Sequence, residues 1–165
     1  MRRVASFIVT LAFFATAANL GTAQLGVMDG GTPKSKAYVL YAAEVQTVPA
    51  GRRAELALRF HVVQGMHVNS HTPKSPLLIP TALTLQPASG VKAGELEYPV
   101  GHLFSFSFDP GDKVDVYSDD FVVKLPVVAT PGEHTIEATL KYQACDNASC
   151  YPPRTVPIKV LFTAK

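Results

Sequence analysis

The chain contains no tryptophan and only two cysteines, and it lacks an excess of charge of either sign once its first residues are set aside. The whole sequence has 15 lysines and arginines against 13 aspartates and glutamates. Arg2 and Arg3 lie in a segment that we expect to be removed, which leaves 13 basic residues against 13 acidic ones. Because no basic stripe remains, we expect neither nucleic acid nor an anionic membrane surface as a partner.

Long apolar runs are also absent after the first 23 residues. That first segment carries two arginines, an apolar run over residues 4–18 and the small residues Gly21-Thr22-Ala23, which is the layout of a secretory signal peptide. The apolar run, at about 15 residues, is shorter than the roughly 20 that a membrane-spanning helix needs. We therefore predict a signal peptide at residues 1–23, no membrane anchor in the mature chain, and secretion to an oxidising compartment such as a bacterial periplasm.

No long helical period occurs either, because 13 prolines and 11 glycines interrupt the chain. Residues 24–36 are rich in turn-forming residues and are predicted to be a flexible leader. After them come short runs rich in β-branched and aromatic residues, several with the period of two that half-buried strands require. The predicted strands cover residues 38–48, 54–63, 81–85, 114–117, 121–129, 134–144 and 155–162.

About seven to nine short strands with frequent turns indicate an all-β fold, an immunoglobulin-like antiparallel β-sandwich over residues 37–165. Residues 134–142 show the pattern best, since Ile136, Ala138 and Leu140 alternate with polar residues. The likeness to antibody domains is one of architecture only. Their buried tryptophan and their disulfide between sheets have no counterpart in this sequence.

The two cysteines, Cys145 and Cys150, lie at the ends of a four-residue segment between two predicted strands. A hairpin there would place them opposite each other, within the Cα separation of about 4.4–6.8 Å that is usual for a disulfide. Closing so short a loop stabilises a fold by only about 2 kcal/mol, which makes stability a weak reason for the bond. The bond is therefore either a staple for one loop or a bond that opens in thiol–disulfide exchange.

Several motifs of this chain resemble the N-terminal periplasmic domain of the thiol:disulfide interchange protein DsbD. The motifs are Tyr142-Gln143-Ala144-Cys145, Cys150-Tyr151-Pro152-Pro153, Gly65-Met66-His67-Val68-Asn69-Ser70, Leu78-Ile79-Pro80-Thr81, Tyr98-Pro99 and Val116-Tyr117-Ser118. The resemblance implies an immunoglobulin-like β-sandwich that takes electrons from a thioredoxin-like domain. Such a domain passes them to oxidised periplasmic proteins, including disulfide isomerases and cytochrome c maturation factors.

The same resemblance implies a role for each cysteine. Cys145 and Cys150 would be the redox pair, and Cys150, next to the two prolines, would form the mixed disulfide with a partner. Cys145 would then resolve that mixed disulfide. The chemistry is reversible thiol–disulfide exchange, for which we expect no metal and no organic cofactor.

Shielding of the cysteines by aromatic side chains is a further implication. The family covers its cysteines with an aromatic cap loop, which corresponds here to about residues 102–112, with Phe104, Phe106 and Phe108 as candidates. Alternating phenylalanines also fit an ordinary strand face. Tyr142 and Tyr151 flank the cysteines and are further candidates for shielding, although aromatic residues at strand ends also pack in cores.

The expected partners follow from the same family. Its fused members continue into a membrane segment and a thioredoxin-like domain, whereas this chain ends at Lys165. We therefore expect a separate membrane reductant, and thioredoxin-fold periplasmic partners of the disulfide isomerase or cytochrome c maturation type. We expect the domain itself to be a monomer.

Two other functions stay open at the level of the sequence. One is a non-catalytic immunoglobulin-like binding module whose disulfide is structural. The other is a metal-handling protein in which the cysteines and a histidine bind copper or zinc. His67 and His71 have the spacing of two ligands on a helix, but the glycine and proline around them favour strand and loop. We therefore predict no metal site and expect His67 to form a local hydrogen bond.

Overall fold

The computed structural model describes residues 37–107 and 109–165 of the chain. The predicted signal peptide and leader, residues 1–23 and 24–36, lie outside these described residues. The described part is all β, with twelve strands. None of it forms a helix that is long and apolar enough to cross a membrane.

The twelve strands are short, and turns separate most of them. In chain order they are β1 (Val39–Tyr41), β2 (Gln46–Val48), β3 (Ala54–Val62), β4 (His67–Asn69), β5 (Ala82–Leu85), β6 (Val91–Ala93), β7 (His102–Phe106), β8 (Asp109–Tyr117), β9 (Asp120–Ala129), β10 (Gly132–Tyr142), β11 (Ala144–Cys145) and β12 (Arg154–Ala164).

These strands form three four-stranded sheets. The first has the order β1-β3-β9-β6, the second β2-β12-β10-β5 and the third β11-β4-β8-β7. The described pairings are antiparallel except that of β2 with β12, which is parallel. The architecture is an immunoglobulin-like antiparallel β-sandwich, and the prediction of fold class is confirmed.

The main core takes one face from each of the first two sheets. Strand β3 contributes Leu56 and Leu58, and β10 contributes Ile136 and Leu140, each of which is at most 1% exposed. The residues between them along each strand point the other way, as the pleat requires. Burying a side chain of this size stabilises the fold by about 1.5–3 kcal/mol, so the core between these sheets is the main source of stability.

The third sheet has an apolar face on each side. On one face Val68, Tyr117 and Ala144 join the main core. On the other face a smaller cluster contains Phe106 and Cys145, together with valines of β8. The sheet therefore holds one of the two cysteines away from the main core, in a small apolar cluster of its own.

Two predictions about individual strands were wrong. The run 38–48 is not one strand, because residues 42–45 leave the first sheet and β2 then pairs with β12 in the second. The number of strands is also larger than predicted, since β4, β6 and β7 fall outside the predicted runs. Strands of three to five residues contain too few alternations to give a visible period.

Candidate functional site

Cys145 and Cys150 are joined by a disulfide. Strand β11 ends at Cys145, and the two cysteines face each other as an isolated antiparallel pair. The backbone hydrogen bonds of the loop come from neighbouring residues, namely from the Tyr151 N–H to the Ala144 carbonyl and from the Asp146 N–H to the Ser149 carbonyl. The Cα atoms of the cysteines are 3.9 Å apart. This separation is shorter than predicted because antiparallel pairs without hydrogen bonds of their own are the closer kind.

The two cysteines differ in their access to solvent. Cys145 is 1% exposed and packs in the apolar cluster with Phe106, Val114 and Val116. Cys150 is an exposed residue. The disulfide is therefore open to solvent on the side of Cys150.

Asp146 fixes the shape of the loop between the cysteines. Its Oδ1 accepts hydrogen bonds from the backbone N–H groups of Ala148, at 2.7 Å, and Ser149, at 2.8 Å. Its Oδ2 accepts a bond of 2.6 Å from the Tyr151 hydroxyl. The hydrogen bond from Tyr151 is the largest cause that holds the pKa of Asp146 below its ordinary value, and the two backbone hydrogen bonds lower it further. The same hydrogen bond raises the pKa of Tyr151. The carboxylate thus ties both ends of the loop together.

Gln143 connects the loop to the rest of the third sheet. Its Oε1 accepts hydrogen bonds from the Asn69 side chain, at 3.3 Å, and from the Ile79 N–H, at 3.4 Å. Its Nε2 donates to the Tyr151 carbonyl at 3.3 Å. Asn69 is 1% exposed and also donates to the Ile79 carbonyl at 2.9 Å. The sequence reasoning assigned no role to Gln143 or Asn69, and only their place in the quoted motifs pointed to them.

Two of the predicted cap residues lie beside the buried cysteine. Phe104 and Phe106 are on β7, and their ring centroids are 4.9 Å apart. Phe106 is 4% exposed and belongs to the same apolar cluster as Cys145, and Phe104 packs against that cluster. These rings cover the cluster that contains Cys145.

The predicted cap region, residues 102–112, is not an irregular loop but the hairpin of β7 and β8. The Ser107 hydroxyl at the tip donates a hydrogen bond to the Asn147 carbonyl in the loop between the cysteines. Phe108, the third candidate, lies outside the described residues. The hairpin therefore makes a polar contact with the disulfide loop, in addition to the packing of Phe104 and Phe106 at the cluster that contains Cys145.

His67 lies in β4 directly opposite Cys145 in β11. Its Nδ1 is 2.5 Å from the Ser118 Oγ, and its ring centroid is 3.8 Å from that of Phe104. The Ser118 Oγ in turn lies 3.2 Å from Nε2 of His102. The hydrogen-bond partner of His67 is therefore 51 residues away in the sequence rather than local.

Partial burial lowers the pKa of His67 below its ordinary value. Electrostatic interaction with His102 lowers that pKa further, and the carboxylate of Asp119 opposes the shift. His67 is therefore mostly neutral at neutral pH.

His71, the other predicted ligand candidate, has different surroundings. Its Nδ1 lies 3.0 Å from the Thr81 carbonyl, to which it donates, and its ring stacks on Tyr98 with centroids 3.6 Å apart. In the described residues no group of three or more His, Cys, Asp or Glu side chains is placed to hold a metal ion.

The two tyrosines next to the cysteines lie in different places. Tyr142 is fully buried in the main core, where its hydroxyl accepts a 3.1 Å hydrogen bond from the Tyr38 N–H. The ring of Tyr151 lies 5.0 Å from that of Tyr38 and is partly exposed at the disulfide loop. The structure thus brings Phe104 and Phe106 to the buried cysteine and Tyr151 to the loop.

Comparison with known proteins gives one family and several similar folds. The family model described as the N-terminal domain of the thiol:disulfide interchange protein DsbD matches residues 37–161. The crystal structure of the reduced DsbD N-terminal domain from Neisseria meningitidis is 19% identical, with 66% of this chain and 81% of that chain covered and a TM-score of 0.42. A chain from the complex between the DsbD and PilB N-terminal domains of the same organism is 20% identical, with 64% and 73% covered and a TM-score of 0.43. No curated protein matches the chain.

Proposed function

We propose a redox function from the premise that this chain belongs to the family of the N-terminal domain of the thiol:disulfide interchange protein DsbD. In this proposal the Cys145–Cys150 disulfide opens and closes reversibly. The domain takes two electrons from a thioredoxin-like reductant and passes them to oxidised periplasmic proteins. No metal or organic cofactor takes part in the exchange.

The observation that supports this function most directly is the unequal burial of the two cysteines. Exchange begins when a thiolate attacks one sulfur of a disulfide, and access decides which sulfur is attacked. Cys150 is exposed, whereas Cys145 is 1% exposed and lies in an apolar cluster with Phe106 of β7. This difference fits Cys150 as the sulfur that forms the mixed disulfide and Cys145 as the one that resolves it.

Each step of the exchange balances. A partner thiolate attacks the Sγ of Cys150, the bond to Cys145 breaks, and Cys145 leaves with the electron pair as a thiolate. The second thiolate of the partner then attacks the partner sulfur in the mixed disulfide. The bond from that sulfur to Cys150 breaks, and Cys150 leaves as a thiolate. The domain has gained two electrons and takes up two protons, while the partner has become a disulfide. The same steps run in reverse on an oxidised partner.

The partners that we propose are thioredoxin-fold proteins. One of the similar structures contains the DsbD N-terminal domain in complex with the PilB N-terminal domain, both from Neisseria meningitidis. We extend to this chain the ability to form such a complex. A partner must bring its own reactive sulfur, because a hairpin loop lacks the helix N-terminus that lowers the pKa of thioredoxin-type cysteines.

We also carry forward the expected setting of the domain. The proposal is that residues 1–23 direct export, residues 24–36 form a leader and residues 37–165 act as a monomeric domain in the periplasm. The immediate electron donor would be a separate membrane reductant, and the acceptors would be disulfide isomerases or cytochrome c maturation factors.

Capture of a partner by single-cysteine variants tests this function. In Cys145→Ser the exposed Cys150, activated by an aromatic disulfide reagent, should form a mixed disulfide with a thioredoxin that retains only its attacking cysteine. Cys150→Ser, treated in the same way, should capture at least about tenfold less, because its sulfur is buried. The product is measured by non-reducing electrophoresis.

The two variants are matched controls for each other, since each has one cysteine and no disulfide. Capture only through Cys145 would reverse the assignment of the two sulfurs, and equal capture by both would show that burial does not distinguish them. If neither variant reacted, the disulfide would be the staple of a binding module.

A further inference from the structure

The buried position of Cys145 creates a problem for the exchange. When the disulfide opens at Cys150, Cys145 leaves as a thiolate among Phe106 and the valines of β8. An apolar environment disfavours the charged form of a thiol and raises its pKa. The departing sulfur therefore needs a proton donor at its buried position.

His67 is placed to meet this need. It is the direct cross-strand neighbour of Cys145 in the third sheet, and such neighbours project from the same face with Cβ atoms about 4.5–5.5 Å apart. Its ring lies over Phe104, which packs against the cluster that contains Cys145. Because Nδ1 is engaged by Ser118, Nε2 is the nitrogen that we assign to the sulfur.

A short hydrogen-bonded path joins His67 to the surface. The Ser118 hydroxyl lies between His67 Nδ1, at 2.5 Å, and His102 Nε2, at 3.2 Å. A hydroxyl donates and accepts at the same time, so it can relay a proton between two imidazoles. His102 is exposed to solvent and completes the path.

We propose that His67 is the proton donor and acceptor for the buried sulfur of Cys145, and that Ser118 and His102 connect it to solvent. The inference rests on the proposed redox function. In the reductive direction a thiolate bonds to Cys150, the disulfide breaks, and the proton of the His67 imidazolium passes to Cys145. In the reverse direction neutral His67 takes the proton of the Cys145 thiol, and the resulting thiolate attacks Cys150 and releases the partner.

The charged groups around His67 suit proton transfer in both directions of the exchange. His102 faces it from β7, Asp119 follows β8, and Cys145 lies opposite it in β11. Partial burial and His102 lower the pKa of His67, so the ring is a base at neutral pH. Protonation at lower pH converts it into an acid.

The pH dependence of reduction by a small thiol tests this role. The oxidised protein is reduced by excess dithiothreitol from about pH 5 to about pH 8, and each rate constant is divided by the concentration of dithiothreitol thiolate. In the native protein the normalised rate should rise as the pH falls through the pKa of His67. We expect a rise of about 10²-fold, which is the low end of the range for general acid catalysis. His67→Gln, which keeps a polar side chain near Ser118, should show a flat profile. The same rise in His67→Gln would overturn the proposal.

Three further variants separate proton transfer from packing. Phe104→Leu removes the ring contact but leaves the imidazole, and it should keep the rise. His61→Gln removes a surface histidine paired with Asp120 and should behave as the native protein. His102→Gln removes a like charge and should move the inflection to higher pH. Loss of the rise in Phe104→Leu, or an unmoved inflection in His102→Gln, would contradict the arrangement.

The small-thiol assay is independent of any protein partner. A flat native profile with normal capture of thioredoxin by Cys150 would overturn only the role of His67. A rise that depends on His67, without capture of thioredoxin, would support this role and reject the proposed electron carrier.

Discussion

Each polar side chain near the disulfide binds a different part of the fold, which holds the loop from several sides. Asp146 binds within the loop and Gln143 binds the third sheet. His67 binds Ser118 at the end of β8. Single substitutions at these positions should therefore alter the loop while leaving the main core in place.

We predict that Asp146→Asn removes a pH-dependent contribution to stability. The folded-state pKa of Asp146 lies below its ordinary value of 3.8. Its carboxylate therefore stabilises the fold above the unfolded-state pKa, and this contribution is lost as the pH falls through the lower folded-state pKa. The native protein should unfold at a higher temperature than Asp146→Asn at neutral pH, and the difference should shrink below about pH 4.

Thermal unfolding followed by circular dichroism measures this difference. Since Asn has nearly the same shape and lacks only the charge, it is the matched substitution. A difference in Tm that stayed constant down to the lowest pH would contradict the role of the ionised carboxylate.

The sequence identified some of these residues and not others. The disulfide pair could be predicted because two close cysteines in an exported chain have few other uses. The position of His67 opposite Cys145 could not, because that pairing depends on the register of β4 with β11. Its bond to Ser118 joins residues far apart in the chain, and a local pattern carries no information about such contacts.

The hairpin of β7 and β8 is the element that we propose to control access to the buried sulfur. Phe104 and Phe106 lie on one face of β7, and Leu103, which precedes them in the strand, is 52% exposed. The contact of Ser107 with Asn147 attaches the tip to the disulfide loop. An opening of this hairpin would uncover Cys145 without unfolding the sandwich.

We predict that, in the Cys150→Ser variant, Phe104→Ala speeds alkylation of the Cys145 thiol at neutral pH by about fivefold, since losing about 1 kcal/mol of ring packing favours the open hairpin by that factor. Leu103→Ala removes a similar side chain from the opposite face of the strand and serves as the control. In the same Cys150→Ser background, its rate should match that of the parent variant. Equal effects of the two substitutions would show that the phenylalanine does not shield the sulfur.

Among the elements, the long strands were predictable and the short ones were not. β3, β9 and β10 have nine to eleven residues, enough alternations to display which face is buried. A pattern of burial along one strand does not identify the strand that pairs with it, so the parallel pairing of β2 with β12 could not be predicted. The third sheet was missed for a different reason: its strands β4 and β11, at three and two residues, are too short to show an alternation.

At the scale of the whole molecule, the main core and the proposed redox site are separate. The main core lies between the first two sheets and one face of the third, and the disulfide closes a loop at the end of β11 with Cys145 in the smaller cluster. So short a loop contributes about 2 kcal/mol, against the 5–15 kcal/mol that is typical for a domain. The fold should therefore persist when the disulfide is reduced, as a domain that cycles between two redox states requires.

The reduction potential of the Cys145–Cys150 pair tests the central claim most directly. The purified domain is equilibrated against a thioredoxin-type redox couple, and the oxidised fraction is measured by thiol labelling. An electron carrier requires a potential between about −270 and −180 mV, the range of known exchange proteins. We predict a value in that range. A value well below about −300 mV would make the bond structural and would contradict the redox function.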